Sequence, residues 1–368
     1  MANLVPNSKE GTFKPDEAQF RHSISREPGA QFPPEVGRYH LYISYACPFA
    51  CRSLVLLNLK GLRHAIAISV TKAAMASTKP TVDDHRGWIF LTPGEEDNDR
   101  DDEHGATIDP LNHVRTVREL YEIANPNYAG RYSVPVLWDS KTRQIVNNES
   151  PEIMRMLNSE FNDGIAKHPE VNLYPERMKV AIDDVNSWVF SDINVGVYKC
   201  GFATKQVPFE EAFRALFAAL DKCEQILSNQ RYIAGDELTE ADVRLFTSLI
   251  RFDEVYAVHF KCNKKLIREY PNLFNYTKDL FQMKGIGETV DMWHIKQSYY
   301  RSHMHLNPYG IVPVGQEVDY SAPHDRDRFH QACAYLSDSF SASKESKVFH
   351  CMKQNTKGMT ASSLRLFY

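Results

Sequence analysis

The stretch YHLYISYACPFACRSLVLLNLKGLRHAIAISV, residues 39–70, decides the fold. Tyr39 to Ser44 alternates in character and is rich in β-forming residues, so it reads as a strand. Pro48 follows, then an apolar run from Arg52 to Lys60 that stops at Gly61. Proline in the first turn and glycine after the last mark the two ends of a helix. His64 to Val70 reads as a second strand. Strand, helix and strand within about 30 residues form the βαβ unit of a parallel sheet.

Reading outward, residues 112–124 carry helical spacing. Val134-Pro135-Val136-Leu137-Trp138 and Gln144-Ile145-Val146 are two short strands. The turn Asp139-Ser140-Lys141-Thr142 between them predicts a hairpin. Asn148-Glu149-Ser150 then opens a helix over Pro151–Leu157. The order β-α-β, helix, hairpin, helix is that of a thioredoxin-like domain, placed at residues 39–160. An insertion near residues 71–112 interrupts it. The insertion holds Gly87-Trp88-Ile89-Phe90 and a run, Glu95 to Glu103, with seven acidic residues against one arginine. Like charges repel and extend the chain, so the run reads as a solvated loop. It lacks the D-x-D-x-D-G order of a calcium loop.

From Tyr174 onward the pattern is helical. Arg177–Phe190, Phe209–Leu227, Ala241–Tyr256 and Pro271–Met283 all show apolar spacing of period 3.6. The third has a complete start signal: Thr239 at the N-cap, Asp242 three residues on, and Leu238 and Val243 as a hydrophobic staple. Residues 174–315 therefore read as an all-helical domain. Residues 1–38 read as an extended arm, polar and broken by Pro28, Pro33 and Pro34. Residues 316–368 are serine-rich and poorly periodic, and are expected to be a disordered tail.

The whole-chain figures agree. A length of 368 residues predicts two or three domains. A net charge of -4 gives no basic footprint for nucleic acid. Seven scattered cysteines are too few and odd in number for a disulfide scaffold. No apolar run reaches the roughly 20 residues of a membrane span. The first residues lack the apolar core of a signal peptide. A cytoplasmic, reducing setting is the expectation, with one cysteine kept for its reactivity.

Cys47 is the first candidate. It sits between a strand and a helix, where unpaired amides and the helix dipole favour a thiolate. Such placement predicts a depressed pKa. Cys51 follows at C-x3-C spacing, one residue too long for the redox C-x-x-C, and reads as a packing residue. Two cysteines alone do not make a metal site, and no metal is expected. A cis Val134-Pro135 bond would present the Val134 backbone to a peptide-like ligand. Glu149 and Ser150 open a helix whose amides suit a carboxylate.

Together these residues resemble the glutathione site of the glutathione transferases. Cysteine at the catalytic position is similar to the omega-like branch. Longer stretches resemble the Xi class, the glutathionyl-hydroquinone reductases: GRYHLYISYACPFACR, GWIF, YAGRYSVPVLWD, IVNNESPEIMRMLN, VYKCGFATKQ, and HIKQSYYRSH followed by NPYGIVPVG. The resemblance spans about Pro28 to Gly315. Here Phe49 and Cys51 stand where the family pattern Cys-Pro-Trp-Ala-His-Arg has tryptophan and histidine.

The resemblance implies an α/β plus all-α fold: an N-terminal thioredoxin-like domain and an all-helical glutathione-transferase C-terminal domain. It implies glutathione as co-substrate, quinone-derived aromatic conjugates as substrates, no metal, no membrane or nucleic-acid partner, and a homodimer. Residue by residue, Cys47 would be the nucleophile. Trp88, Arg118, Val134, Glu149 and Ser150 would hold glutathione, with Arg131 a rival to Arg118 for the carboxylate. Tyr198, Tyr299, Tyr300 and His303 would line the aromatic pocket. The implied activity is removal of glutathione from glutathionyl-hydroquinones through a mixed disulfide on Cys47. One alternative is an omega-like thiol transferase or dehydroascorbate reductase. Another is a non-catalytic glutathione-fold binding module.

Overall fold

The structure is a computed structural model that describes residues 8–95, 104–315 and 317–329. Its first domain is organised around β1 (Tyr39–Ile43), which is buried at all five positions. A strand covered on both faces must be apolar on both, and Tyr39, Leu41, Tyr42 and Ile43 meet that demand. α1 (Pro48–Leu59) follows, with Pro48 at its start and Gly61, at φ +63°, just past its end. β2 (Ala67–Val70) returns parallel to β1, so the βαβ unit forms as the sequence predicts. The strand is shorter than His64–Val70, because residues 62–66 make turns before it.

The insertion contains a second, smaller sheet. β3 (Ala76–Ser77) and β4 (Arg86–Gly87) pair as a small antiparallel ribbon. Asp109 is buried and accepts from the Tyr42 hydroxyl at 2.9 Å and from the amides of Leu111 and Asn112. Most of the acidic run, residues 96–103, lies outside the described residues. α2 (Val117–Ala124) begins at Thr116, which forms a capping box with Glu119. β5 (Val136–Asp139) and β6 (Gln144–Asn147) make the predicted hairpin, and α3 (Ser150–Ser159) closes the domain. The sheet order is β2-β1-β5-β6, with β5 antiparallel to β1 and to β6. This is the thioredoxin-like arrangement.

The helical domain contains α4 (Lys179–Trp188), α5 (Gly196–Gly201), α6 (Gln206–Leu227), α7 (Glu240–Leu249), the single turn α8 (Ala257–His259), α9 (Pro271–Gln282) and α10 (Met292–Ser302). Two segments, Val189–Asn194 and Phe252–Tyr256, are wound as π-helix. Apolar spacing predicts an α-helix running into each. A π turn inserts a residue into the helical register and rotates the residues beyond it to a new face.

α7 starts at the predicted box. The buried Asp242 accepts from the Thr239 amide and from the Ile233 amide and Tyr276 hydroxyl, all at 2.8 Å. The Thr239 hydroxyl donates to it as well, so removing that carboxylate takes the partner from four buried donors, at about 1–3 kcal/mol for each left unsatisfied. Asp242→Ala is therefore expected to destabilise the domain by about 3–5 kcal/mol. Urea unfolding followed by circular dichroism reads this as a lower midpoint.

The expected tail is not disordered throughout. Within residues 317–329, Tyr320 and Arg326 are buried. The Arg326 guanidinium donates to the carbonyls of Leu227 and Arg231, each at 2.8 Å, and of Gln230. These carbonyls lie at and just past the end of α6, where the last turn has no intrahelical donors. Lys278 Nζ donates to Pro323 O at 2.6 Å and Gln282 Nε2 to the carbonyls of Tyr320 and Ala322, each at 2.9 Å, and apolar periodicity carries no trace of a strap held by such polar contacts. FHQACAYLSDSF, apart from Phe329, lies outside the described residues.

Candidate active site

Cys47 is the N-cap of α1, as its place between strand and helix predicts. Its thiol donates to the Val134 carbonyl at 3.4 Å, and the Val134-Pro135 bond is cis. The side chain is half-buried rather than enclosed. The expected pKa depression is not met. Burial pushes the Cys47 thiol up to about 11. The amides of Ala50 and Phe49 and the Arg251 guanidinium pull the other way without overcoming it. Alkylation of Cys47 by iodoacetamide should accordingly quicken about ten-fold per pH unit from roughly pH 7 to pH 10. Mass spectrometry of the Cys47 peptide measures it; a plateau reached below about pH 8 would contradict it.

Arg251, on the turn after α7, is fully buried beside the Cys47 loop. It donates to Ala46 O at 3.0 Å, Tyr45 O at 2.8 Å, and the Cys51 sulfur at 3.0 Å. Cys51 in turn reaches the carbonyls of Tyr45 and Thr289. Cys51 thus takes its place in a polar packing knot. Cys200, Cys223 and Cys262 are also free and buried, while Cys333 and Cys351 lie outside the described residues.

Glu149 and Ser150 stand at the start of α3, and no side chain caps that helix. The Ser150 hydroxyl is buried and has no partner among the described residues. Burial raises the Glu149 carboxyl, against the pull of Arg21 and Arg52. A buried hydroxyl, a half-buried carboxylate and an open helix start fit a ligand that brings both a carboxylate and an ammonium group. Arg52, in the second turn of α1, is fully buried, with its Nη2 on Asn194 Oδ1 at 2.7 Å and its guanidinium 4.7 Å over the Phe49 ring. Burial pushes it down to about 9.

Trp88 follows β4, half-buried, and its carbonyl receives the Val117 amide at the start of α2. Arg118 is bound by Asp83 at 2.8 Å and Glu122 at 2.9 Å, and lies over the Tyr132 ring. Arg131 pairs with Asp16 of the arm. Both candidate arginines are already engaged with carboxylates of the chain.

In the helical domain, three tyrosine hydroxyls meet. Tyr299 lies 2.6 Å from Tyr198 and 3.1 Å from Tyr256. Phe49, two residues after Cys47, lies 6.3 Å from the Tyr198 ring, so the cluster borders the start of α1. Burial raises all three hydroxyls, which keeps them protonated and able to donate. Two expectations need correction. Tyr300 turns away, its hydroxyl donating to the Glu254 carbonyl at 3.0 Å. His303 lies behind the cluster, paired with His259 at 3.1 Å and edge-on to Tyr299. Burial drives His303 well down, so it stays neutral. Adjacent helical residues point about 100° apart, which is why Tyr299 and Tyr300 cannot share a face. Tyr256, which the sequence motifs do not single out, enters through the π turn at Phe252–Tyr256.

Among the described residues no group of three or more His, Cys, Asp or Glu is placed to hold a metal ion. No helix among them is long and apolar enough to cross a membrane.

Known proteins share this sequence and fold. The family model for the glutathione S-transferase N-terminal domain matches residues 46–160, and that for the C-terminal domain matches residues 206–279. The chain is 43% identical over 327 residues to glutathionyl-hydroquinone reductase YqjG of Escherichia coli K12, covering 87% of this chain and 94% of that one. Its fold is similar to a Xi-class glutathione transferase from Natrialba magadii, with TM-score 0.77, 47% identity, and 84% and 89% of the two chains covered. It is equally similar to the glutathione-bound structure of Escherichia coli YqjG, with TM-score 0.77, 41% identity, and 89% and 99% covered. The chain belongs to the glutathione transferase family, in its Xi class.

Proposed function

We propose that this chain is a glutathione-dependent reductase that removes glutathione from glutathionyl-hydroquinones. The observation that carries the reading is the meeting of the Tyr198, Tyr299 and Tyr256 hydroxyls beside the start of α1, where Phe49 approaches Tyr198 two residues after Cys47. The relative named as a glutathionyl-hydroquinone reductase supports it. Glutathione lies along the Val134 backbone, with its γ-glutamyl end at Glu149 and Ser150. Trp88 and Arg118 flank the glycyl end, where its carboxylate competes with Asp83 for Arg118.

The Cys47 sulfur attacks the sulfur of the conjugate. The carbon–sulfur bond breaks, a sulfur–sulfur bond forms, and the proton that leaves Cys47 balances the one gained at the ring carbon. The ring is reduced and the two sulfurs are oxidised. Carbon is a poor leaving group unless a keto tautomer of the ring places a carbonyl beside it. Neutral tyrosine hydroxyls donate to that oxygen as charge develops. A second glutathione then attacks the mixed disulfide, releasing oxidised glutathione and restoring Cys47. One cysteine suffices.

The test supplies glutathione with a glutathionyl-hydroquinone and follows free hydroquinone and oxidised glutathione. Equal amounts of both are expected, and no hydroquinone release would reject the reading. Turnover of dehydroascorbate or aliphatic mixed disulfides alone would favour an omega-like thiol transferase, which uses the same Cys47. A cytoplasmic location and a homodimer belong to the same reading; sedimentation equilibrium tests the second.

A further inference from the structure

The N-terminal arm has no helix or strand of its own among its described residues, yet it crosses from one domain to the other. On the helical side Thr204 N donates to Gly11 O at 3.1 Å and Lys205 Nζ to Lys9 O at 2.8 Å. Gly11 has φ +81°, and a Cβ there would sit 2.8 Å from the Lys205 side chain, so glycine lets the arm lie flat. On the thioredoxin-like side, Asn148 N donates to Phe20 O at 3.1 Å and His22 N to Val146 O at 3.0 Å. Arg21 bridges to Asn147, adding to the β6 edge. Asp16 pairs with Arg131 between these anchors.

Phe13 lies in the spanning part. Its ring stacks on Tyr198 at 6.0 Å and packs against Phe202 at 5.4 Å, and the Arg131 guanidinium lies 5.9 Å above it. Phe49, from the Cys47 loop, faces Tyr198 at 6.3 Å. Tyr198, whose hydroxyl belongs to the tyrosine cluster, is therefore approached by an aromatic ring from the arm and another from the nucleophile loop.

We infer that Phe13 is a specificity-determining residue: the arm supplies an apolar ring to the wall that receives the aromatic half of an S-substituted glutathione. The inference rests on the proposed placing of glutathione at Cys47 and Val134, and it deepens the aromatic part of that reading. Ring stacking of this kind favours a flat aromatic group over an alkyl group by about five-fold. Asp16 acts through Arg131 as a positioning residue for the arm.

The test measures binding rather than turnover, so it stands apart from hydroquinone release. Isothermal titration gives Kd for S-benzylglutathione and S-methylglutathione with the full chain and its variants. The ratio of the two constants is the readout. Phe13→Ala is expected to reduce the preference for the benzyl compound about five-fold, Phe13→Trp to retain it, and Asp16→Asn to reduce it by a smaller factor. A structural role alone would weaken both ligands equally and leave the ratio where it was. An unaltered ratio in Phe13→Ala overturns the inference, whether or not the native chain releases hydroquinone. A lowered ratio supports it even if hydroquinone release fails.

Discussion

Cys47→Ser is expected to lower turnover of a glutathionyl-hydroquinone by about three orders of magnitude or more. The reason is chemical before it is structural. The step needs a sulfur that can form a disulfide with the departing glutathione. A hydroxyl forms none, and its oxygen is a far weaker nucleophile toward sulfur at neutral pH. Serine is close in size to cysteine, so the N-cap of α1 and the cis Val134-Pro135 loop are retained. Glutathione affinity should consequently stay within a few-fold, because the contacts proposed for it are to Val134, Glu149 and Ser150. Single-turnover experiments on the native chain should show Cys47 gaining the mass of one glutathione, and the variant should show none. Hydroquinone release surviving in Cys47→Ser would remove Cys47 from the mechanism.

The second large effect belongs to Tyr299. Its hydroxyl joins those of Tyr198 and Tyr256, so Tyr299→Phe removes one donor and the bridge that orients two more. A general acid or hydrogen-bond donor acting in the transition state contributes about 100-fold or more. A loss of about 100-fold in kcat is expected for a glutathionyl-hydroquinone, with a much smaller change in KM. Transfer from an aliphatic mixed disulfide needs no ketone stabilisation, because a thiolate is already a good leaving group. That reaction should fall far less. Tyr300→Phe makes a natural control, since its hydroxyl serves the Glu254 carbonyl outside the cluster. Equal losses in both reactions for Tyr299→Phe would mean that the cluster only supports the fold.

The pH behaviour separates two roles of the α1 terminus. The Ala50 and Phe49 amides favour a thiolate, but desolvation by burial outweighs them. Helix position can be read from Cys-Pro spacing. The depth of burial cannot, because it depends on distant residues such as Val134 and Arg251 that pack around the Cys47 turn.

Much of the fold is legible locally. Tyr39–Ile43, the Pro48 start and Gly61 stop of α1, the 139–142 turn and the Thr239–Asp242 box are all short-range signals, and each marks an element found near its predicted place. They work because turns, caps and pleats are decided by a few adjacent residues. Cys47 is legible for the same reason: strand, cysteine, proline and helix are neighbours in sequence. Spacing also brings out Glu149 and Ser150, which lie at one helix start.

The meeting of distant segments is a different matter. Tyr256 joins Tyr198 and Tyr299 because a π turn rotates it toward them, and apolar periodicity does not announce a π turn. Arg251 reaches Ala46 and Cys51 from far along the chain. Arg326 is buried at the end of α6, and Phe13 lies on Tyr198, both from segments with no periodic pattern. Local backbone preferences, written in the order of residues, were enough for the two-domain order and the nucleophile's position. The thiol's acidity, the membership of the tyrosine cluster and the course of the arm were set by packing, since they depend on burial and on contacts between residues far apart in the chain.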